Sequence, residues 1–289
     1  MRWGGFILII GCLALAAFSG LFAVSPETQV ASLGVQPSSY LRDRVFIEQQ
    51  IASVQDTEAV AIIPIAGVVP HHIPVSVPLL ADFYVRLANV RPDIDTFVIF
   101  GPDHFEKGRS DVSISESSFE TPFGLLFPDT DLIEKIEATN LVLHDEAPFG
   151  DHSIHSQLLL IAKLFPHAKI VPITFRSSST NDYAQLLGER IAELASDKTF
   201  FVASVDFSHY LHERQARPID EQSAEYLRSL DPRMAGLVEA DSPQSLVAAI
   251  SAARAHGATT VQSLGVYNSA DFTGRYDYTT GYVLQIIGK

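Results

Sequence analysis

Two apolar stretches of the chain are each followed by histidine, at the point where a buried strand would end. His71 and His72 follow the first stretch, between two prolines, and His104 follows the second. In an α/β fold, ligand sites gather beyond the carboxyl ends of the strands. Neutral imidazole is also a common ligand for zinc, copper, iron and nickel. The spacing predicts a metal site built from loops, with His71 and His104 at its centre.

Further polar residues fall at similar positions. Asp206 and His209 come at the end of the apolar run at residues 199–205, and His152 begins a helical stretch after a glycine-containing loop. Asp206 and His209 are separated like a carboxylate that orients an imidazole, or like an acid/base pair on one turn. His209, Asp206 and His152 are therefore the candidate catalytic residues.

The composition describes a globular protein and excludes several classes of site. The chain has 289 residues, of which 47% are hydrophobic and 19% are charged, so it can bury a full core in one large domain or two small ones. Lys and Arg number 20 against 34 Asp and Glu, and the net charge of −14 argues against a nucleic-acid groove. Cys12 is the only cysteine, which leaves the folded part without disulfides, thiolate ligands or a cysteine nucleophile.

From residue 59 onward, short β-branched runs alternate with longer helical stretches. This alternation predicts an α/β fold: a single three-layer domain over residues 43–289, with a mostly parallel or mixed central sheet flanked by helices. Pro172 lies inside one predicted strand, which favours an edge strand or a bulge there. The predicted strands cover 59–66, 96–100, 169–175, 199–205, 261–267 and 282–287, and the predicted helices cover 76–90, 153–165, 183–195, 220–229 and 244–256.

The N-terminus is typical of a membrane segment. Arg2 precedes an uncharged, mostly apolar run at residues 3–24, which is long enough to span a hydrocarbon core. One positive charge before the run and an acidic residue after it favour a domain held outside the cytoplasm. We expect residues 1–25 to form an apolar helix that anchors the protein in the membrane, with 26–42 as a linker. A cleaved signal peptide, which would make the protein secreted, is the alternative.

Four short blocks of the sequence carry a family resemblance, and they are specific in combination. The blocks are Pro70-His71, Gly101-Pro102-Asp103-His104, Asp151-His152-Ser153-Ile154 and Ser204-Val205-Asp206-Phe207-Ser208-His209-Tyr210. In this order they resemble the signature of the Memo-like family, whose bacterial members are called AmmeMemoRadiSam system protein B. The resemblance runs from about residue 59 to the end of the chain.

The resemblance implies a fold similar to the class III extradiol ring-cleavage dioxygenases, which bind non-haem Fe(II). It implies that His71 and His104 are metal ligands. Asp206 and His209 would lie in the pocket, with His152 in the same cleft. The implied cofactor is a divalent redox metal, iron or copper, and the substrate is an unknown small molecule. Radical S-adenosylmethionine and AMMECR1-like proteins are implied as partners, although a domain outside the cytoplasm would be poorly placed to meet them.

Two positions depart from the family pattern. Several Memo-like proteins place Cys-Gly-Pro near the start of a late helix, and the matching stretch here is Asp241-Ser242-Pro243. Asp241 as a ligand would complete a set of two histidines and one carboxylate, which favours non-haem Fe(II) with open positions. Asp241 or Ser242 as the cap of that helix is an equal alternative. The second departure is His155, which we expect on a solvated helix face.

Two functions of different classes fit these residues. The first is a metal-dependent, dioxygenase-like oxidoreductase in which His71, His104 and Asp241 hold the metal. His209, oriented by Asp206, would move protons. The alternative is a non-catalytic binding or accessory protein that retains the fold and the pocket. A metal hydrolase is a third option, because zinc also accepts two histidines and a carboxylate.

Overall fold

The structure is a computed structural model, and it describes residues 34–37, 40–54 and 59–289. Within those ranges, nine strands form a mixed main sheet and three short strands form a second sheet. The strands are β1 (Val35–Gln36), β2 (Pro64–Val69), β3 (Thr96–Pro102), β4 (Val112–Ile114), β5 (Ser118–Thr121), β6 (Gly124–Leu126), β7 (Leu143–His144), β8 (Lys169–Phe175), β9 (Thr199–Ser204), β10 (His209–Leu211), β11 (Thr260–Asn268) and β12 (Thr279–Gly288). The helices are α1 (Arg44–Ser53), α2 (Val77–Val90), α3 (Thr130–Glu137), α4 (His152–Leu164), α5 (Asn181–Leu194), α6 (Glu213–Arg228), α7 (Pro232–Ala235), α8 (Pro243–Ala255) and α9 (Ser269–Thr273).

Four adjacent parallel strands form the centre of the main sheet. β2 pairs with β9, β9 with β3, and β3 with β8, all in parallel. Every residue of β2, β3 and β9 is buried, and strands covered on both faces are near-continuous apolar runs. β12 and β4 pair antiparallel with β2 and β8, which makes the sheet mixed. The predicted α/β fold, with a mixed sheet flanked by helices, is therefore confirmed.

The core lies on both faces of the sheet, and β3 contributes to each. Val98 and Phe100 belong to the cluster that includes residues of α5 and α8, while Phe97 and Ile99 belong to the cluster that includes residues of α2 and α4. Successive side chains of a strand point to opposite faces, so one strand serves both cores in turn. Burial of one such side chain stabilises the fold by about 1.5–3 kcal/mol.

α5 and α8 pack closely enough to exclude a side chain at Gly188. A Cβ atom there would lie 2.2 Å from the backbone oxygen of Ala248. A larger residue would push the two helices apart, and overpacking of this kind destabilises by about 1–3 kcal/mol. The contact matters for the site because α8 begins at Pro243, next to Asp241.

Two prolines lie inside regular elements of the structure, Pro172 in β8 and Pro218 in α6. β8 lies between β3 and β4 and pairs with both in regular register, so the prediction of an edge or a bulge at Pro172 is wrong. β4 pairs only with residues 173–175, and Pro172 lies just past the end of that pairing, where its missing N–H interrupts no bond to β4. α6 begins at Glu213 rather than at residue 220, and it contains Pro218 inside the helix.

The membrane-anchored localisation predicted from the N-terminus is corrected. In the ranges that the structure describes, no helix combines the length and the apolar character needed to cross a membrane. The apolar run at residues 3–24 and its expected helix lie outside the described residues. Of the expected linker, β1 is described, and it pairs in parallel with β5 of the second sheet.

Candidate metal centre

Three neighbouring strands end at one edge of the sheet and bring the residues that follow them together. β2, β9 and β3 are adjacent and parallel, so their carboxyl ends share that edge. His71 follows β2, Asp206 follows β9 and His104 follows β3. Asp241 joins them from the loop before α8. These four residues therefore lie in one cluster.

The Asp241 carboxylate is the centre of the cluster. Its Oδ2 atom lies 3.0 Å from Nε2 of His71 and 3.4 Å from Nε2 of His104. Asp206 is farther away, with its Oδ2 3.7 Å from Nε2 of His71. The backbone N–H of Asp206 donates to the Asp241 carboxylate at 3.3 Å, and the N–H of Asp241 donates to the Asp206 carbonyl at 3.0 Å. These bonds hold Asp241 facing the two imidazoles.

The hydroxyl of Ser204 fixes the tautomer of His71. Ser204 Oγ donates its one proton to the carbonyl of Ser153 at 2.5 Å. It accepts from Nε2 of Gln157 at 2.8 Å and lies 3.3 Å from Nδ1 of His71. Since Ser204 has no second proton to give, Nδ1 of His71 is the donor of that bond. Nε2 of a neutral His71 therefore carries a lone pair that faces Asp241.

A carboxylate orients His104 in the same way. Nδ1 of His104 lies 2.9 Å from Oδ1 of Asp151, and the backbone N–H of His104 donates to Oδ2 of Asp151 at 3.0 Å. Asp151 is fully buried and also caps α4, where it accepts from the N–H of Ser153 at 2.9 Å. A carboxylate on the outer nitrogen of a histidine is a common partner of a metal ligand, because it fixes the ring and raises its basicity. Nε2 of His104 is thus left to bind an ion.

The lone pairs on Nε2 of His71 and Nε2 of His104 and the carboxylate oxygen of Asp241 repel one another. They can lie this close together only if a cation lies between them. Nε2 of His71 is buried and has no hydrogen-bond partner in the described part of the chain, although Oδ2 of Asp241 is 3.0 Å away. A proton or a metal ion must therefore lie at this point. Two groups that include His71 have ligand atoms close enough for one ion, namely His71 with His104 and His152, and His71 with Asp206 and Asp241. A third such group among the described residues, Glu116 with Glu137 and His144, does not include His71. Nitrogen and carboxylate donors of this kind fit iron, copper or zinc.

Protons take that place when no metal is bound. Burial lowers the pKa of His71, but the carboxylates of Asp206 and Asp241 outweigh burial and hold that pKa above its ordinary value. Burial also opposes the shift at His104, whose hydrogen bonds to Asp151 and Asp241 raise its pKa to about 10. Burial acts to raise the pKa of Asp241, yet the two imidazoles hold it well below its ordinary value. A metal ion must displace these protons, so its affinity rises with pH.

The cap of α8 is Ser242. Its Oγ accepts from the N–H of Ser245 at 3.3 Å, and Pro243 occupies the first turn. The Asp241 side chain faces His71 instead. Of the two residues that the sequence offered as the cap of this helix, Ser242 is therefore the one that caps it. The Asp241 side chain is available as a ligand.

Asp206 contacts His71 and Asp241 rather than His209. Its Oδ1 accepts from the backbone N–H of His71 at 3.0 Å, and no hydrogen bond joins Asp206 to His209 in the part of the chain that the structure describes. His209 begins β10 and is half-buried, with its ring centroid 5.6 Å from that of Tyr210. Asp206 thus positions His71 and Asp241, and the expected orientation of His209 by Asp206 is not observed.

His152 and His72 line the cleft beside the cluster. The ring of His152 stacks on that of His104, with 4.6 Å between centroids and 13° between planes, and it meets His71 edge-on at 5.2 Å. Nδ1 of His72 forms a hydrogen bond of 2.7 Å with the hydroxyl of Tyr282. Burial lowers the pKa of His72, which keeps this imidazole neutral at neutral pH. The cleft therefore holds further imidazoles next to the candidate ligands.

His155 is buried, so its predicted position on a solvated helix face is wrong. It is 3% exposed, and Nε2 pairs with the carbonyl of Phe149 at 2.9 Å. Phe119 of the second sheet and Tyr40 cover its ring, at 5.3 Å and 5.7 Å between centroids. Burial lowers the pKa of His155, as expected for a neutral core histidine. The sequence of α4 alone did not reveal that segments far along the chain cover this face.

Some residues that orient the cluster were missed in the sequence. Ser204 and Gln157 act on His71 only because β9 and α4 pack together, and no local pattern indicates that contact. Asp151 did have a signal, because it stands directly before His152 in one of the four blocks. A carboxylate beside a candidate histidine is a reasonable choice for the partner of a metal ligand.

Asp220 holds the loop between β9 and β10 from the side of α6. Its Oδ1 and Oδ2 accept from the N–H and from the hydroxyl of Ser208, each at 3.0 Å. Burial raises the pKa of Asp220 to about 6, and the bonds from Ser208 oppose this shift only in part. The carboxyl group is therefore a buried acid that ionises unfavourably in the folded protein.

Asp220→Asn should stabilise the protein above about pH 6 and have little effect near pH 4. A carboxyl group with a raised folded pKa contributes stability at low pH, and that contribution is lost as pH rises through the folded value. The shift from 3.8 to about 6 corresponds to on the order of 3 kcal/mol. Asparagine keeps both bonds, with its oxygen accepting from the Ser208 N–H and its amide donating to the hydroxyl. Urea unfolding across this pH range measures the difference.

Asp231→Asn is a control variant whose expected change in stability has the opposite sign. The hydrogen bonds from Arg233 lower the pKa of Asp231 to about 2, so this partly exposed carboxylate favours the folded state when charged. Its replacement should lower stability at neutral pH, the reverse of Asp220→Asn. Identical pH profiles of wild-type protein and Asp220→Asn would contradict a raised pKa at Asp220.

Comparison with known proteins gives the family of the chain. A family model described as Memo-like protein matches residues 35–286. A MEMO1 family protein of Methanosarcina barkeri is 30% identical over 210 residues, which cover 68% of this chain and 78% of that protein. A MEMO1 family protein of Pyrobaculum aerophilum is 31% identical over 233 residues, which cover 75% of this chain and 81% of that protein.

A distant likeness among solved structures is also found. The crystal structure of an uncharacterized protein from Escherichia coli K12 superposes with a TM-score of 0.45 at 14% identity, over 76% of this chain and 98% of that chain. The family model spans most of the chain and includes all four sequence blocks, so the resemblance noted in those blocks is confirmed. The chain belongs to the Memo-like protein family.

Proposed function

We propose that the chain is a metal-dependent oxidoreductase that acts on a small molecule, with one metal ion held by His71, His104 and Asp241. The observation that carries the proposal is the convergence of two oriented Nε2 atoms on one carboxylate oxygen, at 3.0 Å and 3.4 Å. Each imidazole has its other nitrogen engaged, by Ser204 and by Asp151, so both rings, when neutral, present a lone pair to the same point. Such an arrangement is costly in the absence of a cation.

The ligand set favours a redox metal. Two histidines and one carboxylate, with further positions left open, are typical of non-haem Fe(II), and imidazole also suits copper. A recess reaches the cluster at His104 and Asp241, which would give a substrate access to an open position. The metal, when bound, would supply the binding of dioxygen and the electron transfer that side chains lack.

The chain's own residues would supply position and proton transfer. Asp206 holds His71 and Asp241 through backbone bonds, so it acts as a positioning residue. His152 stacks on His104 within the cleft, and His209 is half-buried near it. Imidazole is the side chain that gains and loses protons most readily near neutral pH. His152 and His209 are therefore our candidates for moving protons to and from the substrate.

Metal analysis of anaerobically purified protein tests the proposal. We expect about one iron or copper ion per chain, since three protein ligands converge on one point. Nitric oxide should bind to the iron-loaded protein and give the electron paramagnetic resonance signal of a high-spin iron nitrosyl, because an open position is required for that adduct. Protein that retains only zinc, or that binds iron without reacting with nitric oxide, would contradict the redox function.

A further inference from the structure

A recess of about 200 Å³ opens beside the cluster, at the same edge of the sheet. His104 and Asp241 line one part of it, and Arg176 and Ser177, which follow β8, line another. Liquid water takes about 30 Å³ per molecule, so the recess has room for roughly seven waters or one small organic molecule. Any ligand in the recess therefore lies between the candidate metal ligands and a guanidinium group.

Glu106 binds the Nε side of the Arg176 guanidinium group and leaves the edge formed by the two Nη groups free. Its Nε–H donates to Oε2 of Glu106 at 2.7 Å, and Oε1 of Glu106 accepts from the N–H of Ser177 at 2.8 Å. Glu106 has a φ of 51°, a left-handed conformation that costs a non-glycine residue about 1–3 kcal/mol. The two Nη groups of Arg176 have no hydrogen-bond partner among the residues that the structure describes. A guanidinium fixed in this way is preorganised for a planar anion.

An unpaired buried carboxylate oxygen also belongs to this recess. Asp103 lines it and is 3% exposed. Oδ2 of Asp103 accepts from the N–H of Gly108 at 2.7 Å, whereas Oδ1 is buried and has no hydrogen-bond partner within the described ranges. Such an atom is rare in folded proteins and is explained most simply by a polar group that is absent. That oxygen can only accept a hydrogen bond, so the group in this recess that could bind an anion is Arg176 and not Asp103.

The charges around the recess are compatible with an anion. The carboxylate of Glu106 is already paired with Arg176, and that of Asp241 is offset by the imidazoles of His71 and His104. Gln244, in the first turn of the 13-residue helix α8, brings the helix N-terminus to the recess wall. The partial positive charge of a helix N-terminus favours an anion within the first turn. The Nη edge of Arg176 is thus the positive group that would pair with an anionic ligand.

We infer that this recess binds the carboxylate of a small organic acid, which pairs with the two Nη groups of Arg176. The inference rests on the proposed metal-dependent function and names its substrate class: a carboxylic acid whose opposite end lies toward His104 and Asp241. Arg176 would then fix the orientation of the substrate relative to the metal, because a two-point pair sets direction as well as affinity.

Benzoate and its neutral analogue benzamide are the probes that test this inference. Their binding to the full-length protein is measured by ligand-observed NMR, with and without bound metal. Arg176→Gln should weaken benzoate binding at least about tenfold in both states, because a charge-assisted pair is lost, and should leave benzamide binding unchanged. Arg228→Gln is the matched control, since Arg228 also pairs through Nε with a glutamate, Glu225 at 3.5 Å, on the exposed side of α6. That variant should bind benzoate as the wild type does.

Three results would overturn the inference. They are no benzoate binding by the wild type, equal binding by the wild type and Arg176→Gln, and binding that requires the metal and ignores Arg176, which would mean that the metal holds the carboxylate. Metal content is measured in the same samples, and Arg176→Gln should retain it. Wild-type protein that binds benzoate through Arg176 but holds no metal would refute the metal centre and leave the carboxylate site intact.

Discussion

Replacement of His71 and His104 together by alanine should reduce the bound metal from about one ion per chain to background. Their Nε2 atoms approach the same Asp241 oxygen at 3.0 Å and 3.4 Å, so both nitrogen ligands are lost at once. Metal analysis after anaerobic purification gives the measurement. The variant His167→Ala removes an exposed imidazole that precedes β8, at the opposite edge of the sheet, and its metal content should equal that of the wild type.

Loss of metal is informative only if the double variant folds. His71 is fully buried, so its truncation leaves a cavity, and large-to-small changes of this kind destabilise by about 2–5 kcal/mol. Far-ultraviolet circular dichroism and the thermal unfolding midpoint establish that the sheet and the helices remain. The single variant His104→Ala removes a side chain that is 25% exposed, so it tests the metal site with less disturbance of the core. Unchanged metal content in a folded double variant would remove the basis for the metal centre.

Asp241→Asn should weaken metal binding by more than the roughly 10–100-fold that is usual when an outer partner of a ligand is changed. The substitution removes the charge that faces both imidazoles but keeps the size of the side chain. It should leave α8 intact, because the N–H of Ser245 is capped by Ser242. Titration of the apoprotein with Fe(II) under anaerobic conditions measures the affinity, and thermal unfolding measures the stability.

Ser242→Ala is the mirror-image control for Asp241→Asn. Loss of an N-cap destabilises a helix by about 1 kcal/mol, so this variant should unfold at a lower temperature yet bind the metal as the wild type does. If instead Asp241→Asn loses stability and keeps its metal affinity, then Asp241 has a structural role and the third ligand lies elsewhere.

The positions of His71 and His104 could be predicted because they depend on a rule of α/β folds rather than on particular contacts. Carboxyl ends of parallel neighbouring strands meet at one edge, whatever the loops do. The order of the strands could not be predicted: β9 lies between β2 and β3 in the sheet, although it follows both at a long distance in the chain. That order brings Asp206 beside His71, and it results from packing of the whole sheet.

The contact expected between Asp206 and His209 is absent because the stretch that separates them along the chain is not one turn of helix. A separation of three residues suggests one turn of helix, on which the two side chains would meet. The chain instead leaves β9 and begins β10 at His209, and the next residue, Tyr210, has a φ of 60°. The roles of His209, His152 and Asp241 in catalysis and metal binding stay predictions.

The four residues of the cluster come from four distant parts of the chain, following β2, β3 and β9 and preceding α8. In the unfolded chain they are far apart, so an ion held by His71, His104 and Asp241 binds only the native state. Binding and folding are then thermodynamically linked, and an ion at one hundred times its Kd would add about 2.7 kcal/mol to the free energy of unfolding. Domains are typically stable by about 5–15 kcal/mol. The stability of the fold would thus depend on how much metal is available to the protein.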